Sequence, residues 1–299
     1  MYIELQVTSN FSFLRGASHP EELVEQAVAI GYKSIAITDR NTLAGVVRAH
    51  AAARKLGIRT IIGCRLDLLD GPSLLAYPTN RDAYAKLTNL LTTGNLRAEK
   101  GSCHLYKQDV YEQAEGMKLV VVAPEVLNAQ FEFDASFPAA LNEYREAFGK
   151  DLYISASRRY GGDDSKQLHR LAQLSAAYNI PLVATNDVHY HEVGRRQLQD
   201  VVTCIREKCT IYNAGFRLHP NAERYLKTAA EMGRLFRQYP DALLRTQDIA
   251  EAAQFSLSEL KYEYPEEITT GGRTTQEELT QLAWQGAKEH FGEIVPDKI

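Results

Sequence analysis

Little in this sequence points to an unusual environment. Cysteine is scarce: Cys64, Cys103, Cys204 and Cys209 are the only four in 299 residues, and they are irregularly spaced. No second close pair or histidine partner turns Cys204 and Cys209 into a zinc ribbon, so all four read as free, partly buried thiols in a reducing compartment. No apolar run approaches bilayer-spanning length, and no basic segment followed by an apolar core opens the chain. It is therefore expected in the cytoplasm, with no membrane partner. Positive charge is not in excess either. The formal net charge is −4, which removes any bulk electrostatic argument for nucleic-acid binding while leaving room for a local basic patch. Gly161–Gly162 and Gly271–Gly272 are not followed by Lys-Ser/Thr, so they read as turns and not as a phosphate loop.

What is present is an alternation of strand-like and helix-like runs. Residues 3–7 alternate as a short strand, and Ser18 with Glu21 and Pro20 marks a helix start. Gly31 ends that helix, and the apolar β-branched run at 34–38 reads as a strand covered on both faces. A helix is expected at 43–56, strands at 60–63 and 74–77, and a helix at 81–91. Residues 92–109 are rich in Gly and charge without clear periodicity, and are expected to form a mobile loop around His104. The alternation resumes with a strand at 118–122, a helix at 138–148, a strand at 152–155, a helix at 164–178 and a strand at 181–185. Repeated βα units favour parallel strands closed into a barrel. After residue 191 only helical runs follow, at 196–206, 228–238, 240–254 and 276–290. Thr228 with Glu231, and Thr275 with Glu278, are the capping signals. The expected division is therefore a barrel core at 1–191 and a helical appendage and linker at 192–299.

Asp39 sits at the C-terminal end of the 34–38 strand, on the face where chemistry collects in parallel α/β folds. Yet the neighbouring loops offer Gln6, Thr8, Asn10, Ser12, Arg15 and Arg40, of which none is a strong metal ligand.

The stretch QVTSNFSFLRGASHPEEL with ITDRNTLAGVVRA resembles the opening of a PHP (polymerase and histidinol phosphatase) domain. Within that family it is most similar to error-prone bacterial C-family DNA polymerases, which are polymerase III alpha-like. The segment from AERYLKT to YEYPEE resembles the stretch that joins the PHP domain to the palm of those enzymes. The resemblance implies an α/β fold, a distorted seven-stranded (β/α) barrel with its ligand site at the strands' C-terminal ends, followed by a small helical region. It also implies a metal site, and here that site is largely replaced. The family's His-x-His positions are Gln6 and Thr8, its Asp is Arg15, its Thr-Asp-His ends in Arg40, its Gly-x-Glu ends in Arg65, and its next His is Ser73. No His or Cys follows the strand at 119–122. The Asp-x-His pair of ATNDVHY survives as Asp187 and His189.

Three functions compete. The first is a metal-free, catalytically silent scaffold or docking domain at the N-terminal end of an error-prone polymerase, and it is preferred because so few ligands survive. The parent enzyme would perform translesion synthesis in DNA repair. No Asp-x-Asp cluster precedes Ile299, so its magnesium is expected in a palm outside this sequence and this fragment has no cofactor of its own. Its partners would be the remainder of the polymerase chain, DNA through the parent protein, and accessory mutagenesis or clamp proteins. The second is a metal-dependent phosphoesterase or 3′-5′ proofreading exonuclease with a site rebuilt from His191, Asp39 and Cys64. The third is a phosphate- or DNA-binding module that uses Arg15, Arg40, Arg65 and Arg158. A structural reading of the arginines is preferred over phosphate binding: Arg15, Arg40 or Arg65 pairs with Asp39, Asp67 and Asp187 and keeps the barrel mouth neutral. His189 by default is a hydrogen-bonded histidine of the strand-end loop.

Overall fold

The computed structural model describes residues 2–261, 269 and 272–296. One compact unit runs from the N-terminus to Glu259 and a second, small one follows from Leu260. The contacts thus do not divide after residue 191, where the loss of strand-like runs suggested a boundary.

In the first unit six strands form one sheet in sequential order: β1 (Ser34–Arg40), β2 (Arg59–Leu66), β3 (Leu74–Pro78), β4 (Met117–Val121), β5 (Leu152–Ala156) and β6 (Leu182–Ala184). β1 with β2, β4 with β5, and β5 with β6 are parallel, whereas β3 runs antiparallel to both neighbours. The reversal follows from chain length. Only residues 67–73 join β2 to β3, too few for a crossover that would return the chain to a parallel start.

The seventh position belongs to residues 4–8, which lie extended between β1 and the segment after β6. Ala36 N–H donates to Glu4 O at 3.0 Å and Thr38 N–H to Val7 O at 2.8 Å; on the other side Thr8 N–H reaches Val188 O and Val188 N–H reaches Gln6 O, both at 2.8 Å. Backbone donors and acceptors on both flanks are thereby used, and no open edge remains there.

Six of the helices are α1 (Pro20–Ala29), α2 (Val46–Leu56), α3 (Arg81–Arg97), α4 (Lys107–Gln113), α5 (Ser136–Phe148) and α6 (Asp164–Tyr178). At α1 the cap lies one residue later than the sequence pattern suggests: His19 N–H donates to the Glu22 carboxylate at 2.9 Å. Ser18 instead accepts from His191 N–H at 3.0 Å. The expected mobile loop at 92–109 is mostly ordered structure. α3 continues to Arg97, and Leu105 is fully buried, its carbonyl accepting from Leu69 N–H at 2.9 Å. Gly94 permits this. A Cβ there would stand 2.6 Å from Cys103 Sγ and 2.7 Å from Leu105 Cδ2, so the loop can fold back over the helix only across a bare backbone.

Beyond β6 come α7 (Arg196–Arg206), α8 (Ala229–Leu235) and α9 (Pro240–Ala252). Ile249, Ala250 and Ala253 pack with Leu5, Ala36, Ile61, Tyr77, Val120 and Val183 in one buried cluster. Arg59, the first residue of β2, donates to Gln254 Oε1 at 3.0 Å, and Arg245 donates to Leu182 O at the start of β6 at 3.2 Å. α9 therefore floors the barrel at the strands' N-terminal ends and leaves the C-terminal ends as the mouth.

In the second unit α10 (Thr275–Phe291) is capped by Thr274 with Glu277, not by Thr275 with Glu278, and buries none of its residues. Gly272 lies in a turn; Gly271 lies outside the described residues.

Candidate functional site at the barrel mouth

Parallel register sets the first feature of the mouth. Asp39 stands beside Cys64 and Arg40 beside Arg65 at the matched ends of β1 and β2. Two guanidinium groups side by side require an anion, and Asp67, two residues beyond Arg65, supplies it. Arg40 Nη1 lies 2.9 Å from Asp67 Oδ2 and Arg65 Nε lies 2.7 Å from Oδ1. Ser73 donates to the same Oδ1 at 2.7 Å and accepts from Arg65 at 3.3 Å. The arginines hold the Asp67 carboxyl down at a pKa of about 2, against the opposing effect of its burial. Three positions where the resemblance implies metal ligands, Arg40, Arg65 and Ser73, thus converge on one carboxylate.

Asp39 does not join them. Its carboxylate is fully buried and accepts from Ser9 N–H at 2.8 Å, Ser9 Oγ–H at 2.7 Å and Ser12 Oγ–H at 2.6 Å. Burial raises its pKa and these donors oppose the rise. Asp39 therefore serves as the anchor of the loop that carries Arg15. Cys64 is buried beneath it, with its thiol pushed up above the usual range.

Asp187 does not pair with Arg15, Arg40 or Arg65 either. Its partner is Arg224, which delivers one guanidinium nitrogen to Asp187 Oδ2 and the other to Glu125 Oε1 at 3.0 Å. Gln6 Nε2 donates to Asp187 Oδ1 at 2.9 Å. Burial would raise the Asp187 pKa, but Arg224 and His189 outweigh it and hold the group well below the ordinary carboxylate range. Arg159, half-buried, stands against Glu125 at 2.5 Å. The chain Arg159–Glu125–Arg224–Asp187 carries two positive and two negative charges and is neutral.

Sequence reasoning missed Arg224, Glu125 and Arg159. Glu125 had a signal, since it occupies the loop after β4 where the family's further ligand would lie. Arg224 had none: its segment is held alongside the chain after β6 by His189 N–H to Arg224 O at 2.9 Å and by Asn186 Nδ2 to Tyr225 O at 2.6 Å, and to the turn before β1 by Tyr32 Oη–H to Lys227 O at 2.7 Å. Arg158, expected at the cleft, instead donates to Leu235 O at 3.1 Å and Ser165 Oγ at 3.0 Å, away from it.

His189 is only 5% exposed, and neither ring nitrogen has a hydrogen-bond partner. Its Nε2 lies 3.6 Å from Asp187 Oδ1, too far for a hydrogen bond. This differs from the satisfied histidine expected of the loop. Burial lowers its pKa, against the raising effect of Asp187, and the His219 ring meets it edge-on at 5.1 Å between centroids. His191 turns to Ser18, 2.8 Å from its hydroxyl, so His191, Asp39 and Cys64 do not assemble. Among the described residues no three His, Cys, Asp or Glu side chains lie grouped to hold a metal ion. Thr8 is buried beside Gln6 in the N-terminal segment.

Arg15, on the Asp39-anchored loop, is half-buried. Burial and the neighbouring Arg40 and Arg206 lower the pKa of its guanidinium.

A family model for the PHP domain matches residues 4–159. The chain is 48% identical over 300 aligned residues to an error-prone DNA polymerase of Caulobacter vibrioides, and 46% identical over 298 to error-prone DNA polymerase 2 of Agrobacterium fabrum. Both alignments cover 100% of this chain and 27% of the relative, so the chain spans about a quarter of the length of these curated relatives. A solved structure from Bifidobacterium adolescentis, of a proposed metal-dependent phosphoesterase, is 15% identical with a TM-score of 0.49; the match covers 62% of this chain and 87% of that one.

Proposed function

Because the chain belongs to the PHP domain family, we propose that it is the PHP domain of an error-prone DNA polymerase and that it acts there as a metal-free scaffold. The observation that carries this reading is the occupation of the mouth's carboxylates. Asp187 is held by Arg224 and Gln6, and Asp67 by Arg40, Arg65 and Ser73. A divalent ion entering here would have to displace guanidinium groups that already neutralise both acids, and a second shell cannot replace missing ligands. The donor set therefore does not fit the metals of the family. In the whole protein, nucleotide addition opposite damaged template would belong to a magnesium-dependent palm beyond the aligned quarter.

The scaffold reading has a surface to act through. α7 is inverted: it buries Gln199 and Thr203 and exposes Leu198, Val201 and Ile205. Gln199 donates to Arg15 O at 2.8 Å and Arg206 to Leu14 O at 2.8 Å, which brings exposed Phe13 alongside. An apolar stripe of this kind marks an interface, and its occupant is taken to be the remainder of the polymerase, three-quarters of the relatives' length.

Elemental mass spectrometry of the purified chain, grown with zinc, manganese and iron and compared with Asp187→Ala, tests the metal-free reading. Less than about a tenth of an equivalent is expected in both. Near-stoichiometric metal that disappears in the variant would return the phosphoesterase or exonuclease reading to first place.

A further inference from the structure

α7 ends in a turn that brings two cysteines together. Lys208, just past the helix, takes the left-handed backbone conformation at φ 51°. The chain folds back there: Lys208 N–H donates to Ile205 O at 3.2 Å and Cys209 N–H donates to Cys204 O at 2.9 Å. These are the paired bonds of a Schellman motif, which sets the side chains of its first and last residues against each other. Here those residues are Cys204 and Cys209.

The contact is usually apolar, and one cysteine could fill such a place as a small hydrophobe. Two cysteines bring chemistry to it. Cys204 is buried, whereas Cys209 is half-buried and open to solvent. Burial raises the Cys204 thiol above the usual range, and the Cys209 thiol, hydrogen-bonded to it, adds to the rise. The other two cysteines lie elsewhere: Cys64 donates to Asp39 O at 3.4 Å, and Cys103 Sγ stands over Gly94 of α3.

We propose that Cys204 and Cys209 form a reversible intramolecular disulfide that pins the C-terminal turn of α7. A disulfide forms only where the backbone already holds its two residues side by side, and the 2.9 Å bond between them does so. The oxidant is a small disulfide of the glutathione class. Cys209, as thiolate, attacks one of its sulfurs; that S–S bond breaks and one glutathione thiolate leaves. Cys204 then gives up its proton and attacks the Cys209 sulfur, so the mixed disulfide breaks and the second glutathione thiolate leaves. The two leaving thiolates take up, through solvent, the two protons that the cysteines released. The chain is oxidised by two electrons, and the small disulfide is reduced to two thiols.

The ring so closed spans only residues 204–209 and removes little chain entropy. A partly exposed bond that gains so little is readily reduced again, so in a reducing compartment the pair rests as thiols and closes when the poise turns oxidising. Ile205, exposed in the apolar stripe of α7, and Arg206, which donates to Leu14 O at 2.8 Å, both lie inside the ring. Closure therefore fixes one end of that stripe. The bond depends neither on metal at the mouth nor on what covers the stripe.

The test equilibrates the purified chain with mixtures of reduced and oxidised glutathione, quenches in acid, alkylates, and digests with trypsin without reduction. Cleavage follows Arg206 and Lys208, so the disulfide joins peptides 197–206 and 209–217 in a species lighter than their sum by two hydrogen atoms. That species is expected to grow as oxidised glutathione rises and to vanish with dithiothreitol. Cys103→Ser is expected to leave it unchanged, and Cys204→Ser to trap Cys209 as its glutathione adduct. The parent chain carries the result even where a variant folds poorly. Free thiols at both positions across the series, glutathione on both cysteines, or a bond from either to another cysteine would overturn the proposal. Brief tryptic digestion of the folded chain, read on a reducing gel, tests the pinning. Cleavage after Arg206 and Lys208 is expected to be several-fold slower in the oxidised form; equal rates would defeat it.

Discussion

Arg224 and Asp187 lie 37 residues apart in the chain and meet as a buried ion pair at the barrel mouth, with Asp187 in the left-handed backbone region at φ 49°. The charge that the family resemblance assigns to metal is here met by an arginine that arrives from beyond the last strand.

That pair predicts an asymmetric response to mutation. Arg224→Met leaves Asp187 buried without its cation and should cost roughly 3–5 kcal/mol, whereas Arg224→Met with Asp187→Leu should recover a large part of the loss. Urea unfolding of the two variants measures the difference; equal stabilities would remove the pair from its structural role.

The Asp67 cluster is more open and its members are partly redundant. Arg40→Met should cost about 1–2 kcal/mol, since Arg65 and Ser73 remain on the carboxylate. The Asp67 pKa is depressed from 3.8 to about 2. Its stabilising contribution is therefore complete above the unfolded value and disappears as pH falls toward 2. Asp67→Asn should be less stable at neutral pH and lose less than the parent between pH 4 and 2. Parallel acid melts of parent and variant would contradict the cluster.

Glu4 works in the opposite direction. It is fully buried beneath the N-terminal segment, and burial raises its pKa from 4.5 to about 7. The fold then holds a proton that the unfolded chain releases, so this contribution is greatest below pH 4.5 and declines as pH rises through 7. Glu4→Gln should flatten the stability profile over that interval, as read by thermal melts at half-unit steps. An unchanged slope would show that Glu4 is already ionised in the fold.

Gly16 makes a tighter demand. A Cβ there would stand 2.4 Å from Ser9 O and 2.6 Å from Thr8 O, both backbone atoms with no rotamer to yield. Gly16→Ala should cost about 1–3 kcal/mol and displace the loop that carries Arg15. Gly31→Ala meets no neighbour and is strained only by its φ of 85°, so it should leave that loop in place. Melting curves of both variants, with limited proteolysis at the loop that carries Arg15, separate the two effects.

Local patterning revealed the strands and helices well where burial and propensity agree. β1 and β2 are runs of β-branched residues, and α6 begins and ends where the apolar spacing places it. It misled where distant packing dominates. Residues 92–109 look loose because Gly94 and the flanking threonines weaken helix propensity, yet the burial of Leu105 holds them. The same division applies to the mouth. Adjacent strand ends made a meeting of Arg40 and Arg65 readable, and Asp67 follows within two residues. The fate of Asp187 was not readable, because Arg224 reaches it only once its segment pairs beside His189 and Tyr190, a tertiary event that no spacing along the chain encodes.

The seating of residues 4–8 between β1 and the segment after β6 also imposes a timetable. Gln6 and Asp187 are 181 residues apart, so residues 4–8, which can meet β1 early on one flank, are among the last to be paired on both. At roughly 5–20 residues per second of translation, the second flank of residues 4–8 waits on the order of ten seconds or more for the segment after β6. Until then the half-made sheet has an open edge along the far flank of residues 4–8. Ribosomal pausing between codons 190 and 224 would prolong that vulnerable interval, so the demand for chaperones is set by how quickly the distal third of the domain is made.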